Sequence, residues 1–157
     1  MEDTAEQHKQ RQKAKNIIFR LLKVRQRSEK EIHDRLRVKG IDQNTIDETL
    51  RYFKNIGYID DRAFTQQWIH SRLLKPFGPN RIRYELKSKG IDLEIIQNEL
   101  DQVIKNYCED EIILSLAQRQ AVKYKNIEKT KVKKRLYDFL LRRGFKPETI
   151  SKVVDAL

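Results

Sequence analysis

The chain has 157 residues and a single cysteine, Cys108, so no internal disulfide can form. Histidine is nearly as sparse. His8, His33 and His70 have neither the spacing of metal ligands nor a cysteine pair beside them, and they read as structural or surface residues. Cys108 lacks the surroundings of a nucleophile and reads as a buried or incidental thiol. Five glycines and three prolines leave no low-complexity linker. No apolar run approaches the ~18 residues of a membrane span, and the segment Met1 to His8 lacks the apolar core of a signal peptide. These absences lead to the expectation of a soluble, cytoplasmic protein without membrane contact.

The sequence does contain a repeated segment. Around residues 28 to 50 it reads Ser28-Glu29-Lys30-Glu31-Ile32, Leu36, Lys39-Gly40-Ile41-Asp42, Ile46, Leu50. It returns as Ile82, Leu86, Lys89-Gly90-Ile91-Asp92, Ile96, Leu100, a shift of 90 − 40 = 50 residues. A weaker copy, Leu136, Leu140, Gly144-Phe145, Ile150, Val154, follows at 144 − 90 = 54. Such self-similarity implies one supersecondary unit used three times. The expected units are 1–57, 58–106 and 107–157. A unit of ~50 residues is marginal alone, so neighbours are expected to share apolar faces in an elongated, curved or bent array.

Local signals make each unit three helices. Ala14, Ile17, Ile18, Leu21 and Leu22 recur at helical spacing within about 9–25. Ser28 with Glu31 forms a capping box, and Gly40 suits a left-handed helix end. Asp42 caps the next helix, which ends at Gly57. In the second unit Asp60 or Asp61 is the expected cap, Pro79 opens the middle helix, and Asp92 caps the third. In the last unit Glu109-Asp110-Glu111 complement a helix N-terminus, Thr130 is the expected cap of the next helix, and Pro147 starts the final one. The fold class is all-α, with nine helices and no strand.

No catalytic constellation emerges. Lys39-Gly40 and Lys89-Gly90 end helices and lack phosphate-loop spacing. Asp60-Asp61 is explained as a helix cap rather than a cation site. A non-enzyme without metal or cofactor is expected.

The positive signal is charge. Thirty-four Lys and Arg against 23 Asp and Glu give a net charge of +11, which favours polyanionic partners. Arg20 and Lys23 lie off the apolar stripe of the first helix. Arg81, Arg83 and Lys87 accompany the middle helix of unit two, and Lys131, Lys134, Arg135 and Arg142 that of unit three. One such run is ordinarily a solvated face. Its recurrence on equivalent helices of units two and three suggests a track for a phosphate backbone. Tyr84, Tyr124 and Tyr137 lie among these charges and could stack on bases, although core or rim packing is the simpler account.

The ordered set Ser28-Glu29-Lys30-Glu31-Ile32, Gly57-Tyr58-Ile59-Asp60-Asp61, Phe64, Trp68-Ile69, Gly78-Pro79-Asn80-Arg81-Ile82, Glu85-Leu86 and Lys89-Gly90-Ile91 resembles the RecX regulatory proteins. The resemblance implies three tandem three-helix repeats in a curved molecule. It also implies binding in the groove of the RecA recombinase filament on single-stranded DNA, suppressing its ATPase and strand-exchange activities in recombination, DNA repair and the SOS response. Double-stranded DNA is an additional candidate partner, and a monomer is expected. Within the motif, Gly57, Asp60, Asp61, Phe64, Trp68, Gly78, Arg81, Leu86, Lys89 and Gly90 read mostly as caps and core. The third unit departs from it, with Gly144-Phe145-Lys146 in place of Lys-Gly-Ile-Asp. The other reading left open is an autonomous nucleic-acid-binding module, its helix pairs a helix-turn-helix variant.

Overall fold

In the computed structural model, which describes residues 2–157, the regular elements are helices. They are α1 (Glu2–Val24), α2 (Glu29–Val38), α3 (Gln43–Asn55), α4 (Asp61–Leu73), α5 (Pro79–Ser88), α6 (Leu93–Ile104), α7 (Glu109–Ala121), α8 (Lys129–Arg142) and α9 (Pro147–Asp155). Substantial helix packing lies within three consecutive trios. The described residues contain no strand.

The caps explain most boundaries. The Ser28 hydroxyl accepts from the Glu31 amide while the Glu31 carboxylate accepts from the Ser28 amide, and Asp42, Asp60 and Asp92 cap α3, α4 and α6. Asp61 does something else: its carboxylate accepts the Glu29 amide at 2.8 Å, tying the start of α4 to the start of α2. Thr130 is not a cap. The helix starts one residue before it, at Lys129, so its hydroxyl falls within the first turn and donates to the Glu128 carboxylate at 2.8 Å. Helix α1 also begins well before Lys9. Its early turns dock by a polar contact, Arg11 to Glu48 at 2.6 Å, which apolar periodicity cannot register.

The expectation of shared apolar faces is overturned. Each trio closes its own core: Ile18, Ile32, Leu36, Ile46 and Phe53 in the first, Phe64, Ile82, Leu86, Ile96 and Leu100 in the second, and Ile113, Leu136, Leu140, Phe145 and Ile150 in the third. Three helices around a Phe suffice to bury these chains within each trio, and the three clusters are separate. The accessible surface, 10473 Å² for 18.9 kDa, exceeds the ~8,300 Å² of a compact monomer of that mass. An extended arrangement of small bodies accounts for the excess.

Helix ends join the trios instead. At the junction of the second and third, the Gly78 amide donates to the Arg143 carbonyl at 2.8 Å and the Asn80 amide to the Gly144 carbonyl at 3.0 Å. Free amides at the start of α5 thereby meet free carbonyls at the end of α8. At the junction of the first and second, the Ser28 hydroxyl at the start of α2 donates to the Lys89 carbonyl at the end of α5 at 2.8 Å. The middle helices therefore meet end to end in the order α8, α5, α2, each negative C-terminus facing a positive N-terminus.

Around these contacts, equivalent positions carry different chemistry. In the first junction Lys89 Nζ reaches Glu31 at 2.8 Å. The repeat shifts of 50 and 54 place Arg81 where Glu31 stands and Arg143 where Lys89 stands. Those two guanidiniums instead flank the Phe77 ring, at 4.0 and 5.5 Å from its centre. Arg143 also donates to the carbonyls of Lys75 and Pro76 at 3.2 and 3.3 Å. Burial lowers the pKa of Arg143, and the charges of Arg81 and Arg119 lower it further.

A β-carbon on Gly78 would lie 2.3 Å from the Gly144 backbone, which has no side chain to swing away. Gly78→Ala is expected to destabilise the fold by about 2–3 kcal/mol. Gly40→Ala places its methyl in open space at a φ of +72° and should cost only about 1 kcal/mol of backbone strain. Urea unfolding of the two variants checks the order.

Glu31 supplies a second test. Burial alone would raise its pKa, but hydrogen bonds from Arg25 and Lys89 outweigh burial and hold it at about 2, against an ordinary 4.5. A carboxyl lowered on folding contributes stability that is full above 4.5 and is lost as pH falls toward about 2. Across that window the wild type should lose more thermal stability than Glu31→Gln. Burial shifts the nearby Asp61 upward, in the opposite sense, and it is common to both proteins.

Candidate partner-binding surface

The structure divides the basic residues into those that hold the fold and those that face solvent without a partner. Arg81 belongs to the first group. Its Nε donates to Glu85 at 3.1 Å, its guanidinium covers Phe77, and its Cβ and backbone lie where Gly144 admits no side chain. Glu85 also accepts from Arg72 at 2.6 Å and from the Trp68 indole at 3.0 Å. Burial raises the pKa of Glu85, but the hydrogen bonds from Arg81 and Arg72 outweigh it and lower the net value. Trp68 is not a plain core residue. Its ring stacks on Phe64 and also meets Arg72 and Lys89, each 4.3 Å from its centre.

Of the other residues singled out by sequence, Arg83 is half-buried and donates to Asn80 at 3.2 Å. Lys87 on α5, and Lys134 and Arg142 on α8, are exposed with side chains free of ion pairs. Lys131 makes only a solvated 3.5 Å pair with Glu128, and Arg135 lies 5.5 Å from the Tyr124 ring centre. Because α8 and α5 meet end to end, these cations share one run of helices. Arg20 and Lys23 do not belong to that run. They are exposed on α1, where Arg20 lines a groove with His8, Lys9, Lys13, Asn16 and Lys39 that no carboxylate among the described residues borders.

Sequence reasoning missed Arg35 and Arg37 on α2, the third helix of the end-to-end run, both exposed without a side-chain partner. The repeat itself carried the signal, since 37 + 50 = 87 puts Arg37 in register with Lys87. It also misjudged Tyr84, which is 74% exposed between Arg83 and Lys87 rather than packed. Tyr124 and Tyr137 do pack against the third core.

Cys108, read as a buried or incidental thiol, is exposed at the N-cap of α7, where the chain turns before the helix starts. Among the described residues no group of three or more His, Cys, Asp and Glu could hold a metal ion, and no helix is long and apolar enough to cross a membrane. The arrangement offers cation-rich helix faces.

Comparison with known proteins agrees with this architecture. Family models for the first, second and third three-helix domains of RecX match residues 14–53, 60–100 and 109–154. The regulatory protein RecX of Chlorobium phaeobacteroides (strain BS1) is 35% identical over 146 residues, covering 92% of this chain and 93% of the relative. That of Legionella pneumophila (strain Corby) is 34% identical over 141 residues, covering 90% and 92%. The crystal structure of RecX from Lactobacillus salivarius superposes with a TM-score of 0.81 at 23% identity, over 96% of this chain and 97% of that one.

Separating free from structural cations gives a test. Arg143→Gln gives up two carbonyl contacts and two aromatic neighbours, and it should cost about 1–2 kcal/mol of stability. Lys87→Gln and Lys134→Gln, which break no contact, should leave the melting temperature unchanged. Calorimetry on the three variants distinguishes the classes.

Proposed function

Because the chain belongs to the RecX family of regulatory proteins, we propose that it binds the RecA recombinase filament on single-stranded DNA and inhibits its ATPase and strand-exchange activities. The observation that carries this reading is the run of exposed cations along α8, α5 and α2, from Lys131, Lys134, Arg135 and Arg142 through Lys87 to Arg37. A filament groove presents DNA phosphates and acidic protein surface together, and an extended basic body answers both.

The protein acts as a cytoplasmic monomer and without catalysis. By binding one filament state more tightly than another it shifts the assembly equilibrium by its difference in affinity. Its three units, 1–57, 58–106 and 107–157, reach successive subunits. Arg20, Lys23, Arg83, Lys87, Lys131, Lys134, Arg135 and Arg142 make the contacts, joined by Arg35 and Arg37. Arg81 supports them by fixing the junction between units two and three.

Charge reversal at Lys131, Lys134 and Arg135 should raise the concentration needed to inhibit RecA-catalysed ATP hydrolysis on single-stranded DNA by roughly tenfold or more. Circular dichroism should show unchanged helicity. Full inhibition by the folded triple variant would remove this surface from the mechanism.

A further inference from the structure

On the outer side of the first unit, Phe19, Tyr52 and Tyr58 are 49%, 48% and 57% exposed around the buried Phe53 ring. Phe19 packs edge-on against Phe53 at 5.1 Å and against Tyr58 at 6.1 Å, and Tyr52 meets Phe53 at 5.5 Å. Each of the three rings meets the core roughly perpendicular to Phe53 or its neighbours and is about half exposed. The buried interior of this unit is made by Phe53 with Ile18, Ile32, Leu36, Ile46 and Leu50, and the exposed parts of the three rings lie outside it.

The patch is also basic. Lys15 and Lys23 stand one helical turn to either side of Phe19, about 12 Å apart along α1, and the Lys15 ammonium lies 4.9 Å from the centre of the Tyr52 ring. No acid occurs in α1 from Gln7 to Val24. Two nearby carboxylates are taken, Glu48 by Arg11 and Glu29 by Lys54.

We infer that Phe19, Tyr52 and Tyr58 form a stacking platform for unpaired bases of a single-stranded polynucleotide, with Lys15 and Lys23 on the phosphates that flank a base lying on Phe19. An aromatic ring between two cations matches the alternation of flat base and charged phosphate along a single strand. A duplex keeps its base faces inside the stack and offers such rings only its grooves. An acidic protein segment would answer the lysines and leave the ring faces unused. The platform deepens the proposed function and rests on it for the strand's place in the filament. It adds a base-reading contact on α1, away from the phosphate track on α8, α5 and α2.

The test measures fluorescence anisotropy of the full chain, without RecA, on labelled oligo-dT and on an abasic strand of equal length. Wild type should bind oligo-dT about tenfold more tightly than the abasic strand. Phe19→Leu with Tyr58→Leu, which keeps apolar contact with Phe53, should erase that preference and leave abasic binding unchanged. Lys15→Gln with Lys23→Gln should weaken both strands alike. Equal wild-type binding to the two strands would overturn the platform. So would a folded double-Leu variant that still prefers oligo-dT, or a concentration-dependent dimer that the Leu changes abolish while DNA binding stays intact. Loss of RecA inhibition with the base preference retained would sink the filament reading and leave the platform standing.

Discussion

Everything beyond the individual three-helix cores depends on one contact, the meeting of a helix C-terminus with a helix N-terminus. An isolated helix leaves carbonyls at one end and amides at the other without partners. Here the carbonyls of Arg143 and Gly144 take the amides of Gly78 and Asn80, and the Lys89 carbonyl takes the Ser28 hydroxyl. Each contact satisfies groups that water would otherwise serve and aligns successive helix dipoles. Because the cores are closed, no buried apolar interface holds the trios in register. Polar end contacts do so, and they tolerate little error in distance. That is why Gly78 and Gly144 lie backbone against backbone.

This way of joining the trios shapes the charge distribution. At the two junctions, the residues at one pair of equivalent positions are a Glu31–Lys89 ion pair in one case and Arg81 with Arg143 about Phe77 in the other. In the second case two like charges share a ring because backbone carbonyls and Glu85 neutralise them locally. Several of the chain's cations are therefore structural, and the net charge of +11 counts them together with those that face solvent. Net charge alone overstates how much of the basic content is open to a partner.

The residues that mark helix ends were legible because capping is local: a hydroxyl, a carboxylate or a glycine acts on amides within its own turn. Ser28, Asp42, Asp92, Pro79 and the glycines at 40, 57, 90 and 144 could thus be placed from spacing alone, and with them the trios and the all-α class. The partners of Arg81 and Trp68, Phe77 with Gly144 for one and Lys89 for the other, were not legible because they are brought near only by packing. Arg37 was missed for a different reason. Its signal was present in the repeat, where 37 + 50 = 87 sets it in register with Lys87, but its helix carries acids beside its cations and so shows no excess of charge.

Sequence by itself determined that this chain is three helical units and basic overall, because caps, periodicity and composition are short-range or additive properties. Tertiary structure alone decided that the repeated segment joins by its ends rather than its faces. It also decided which cations remain free and that half-exposed rings gather beside lysines on α1. Those outcomes depend on which distant groups arrive within a few ångströms of one another, and no spacing along the chain encodes that.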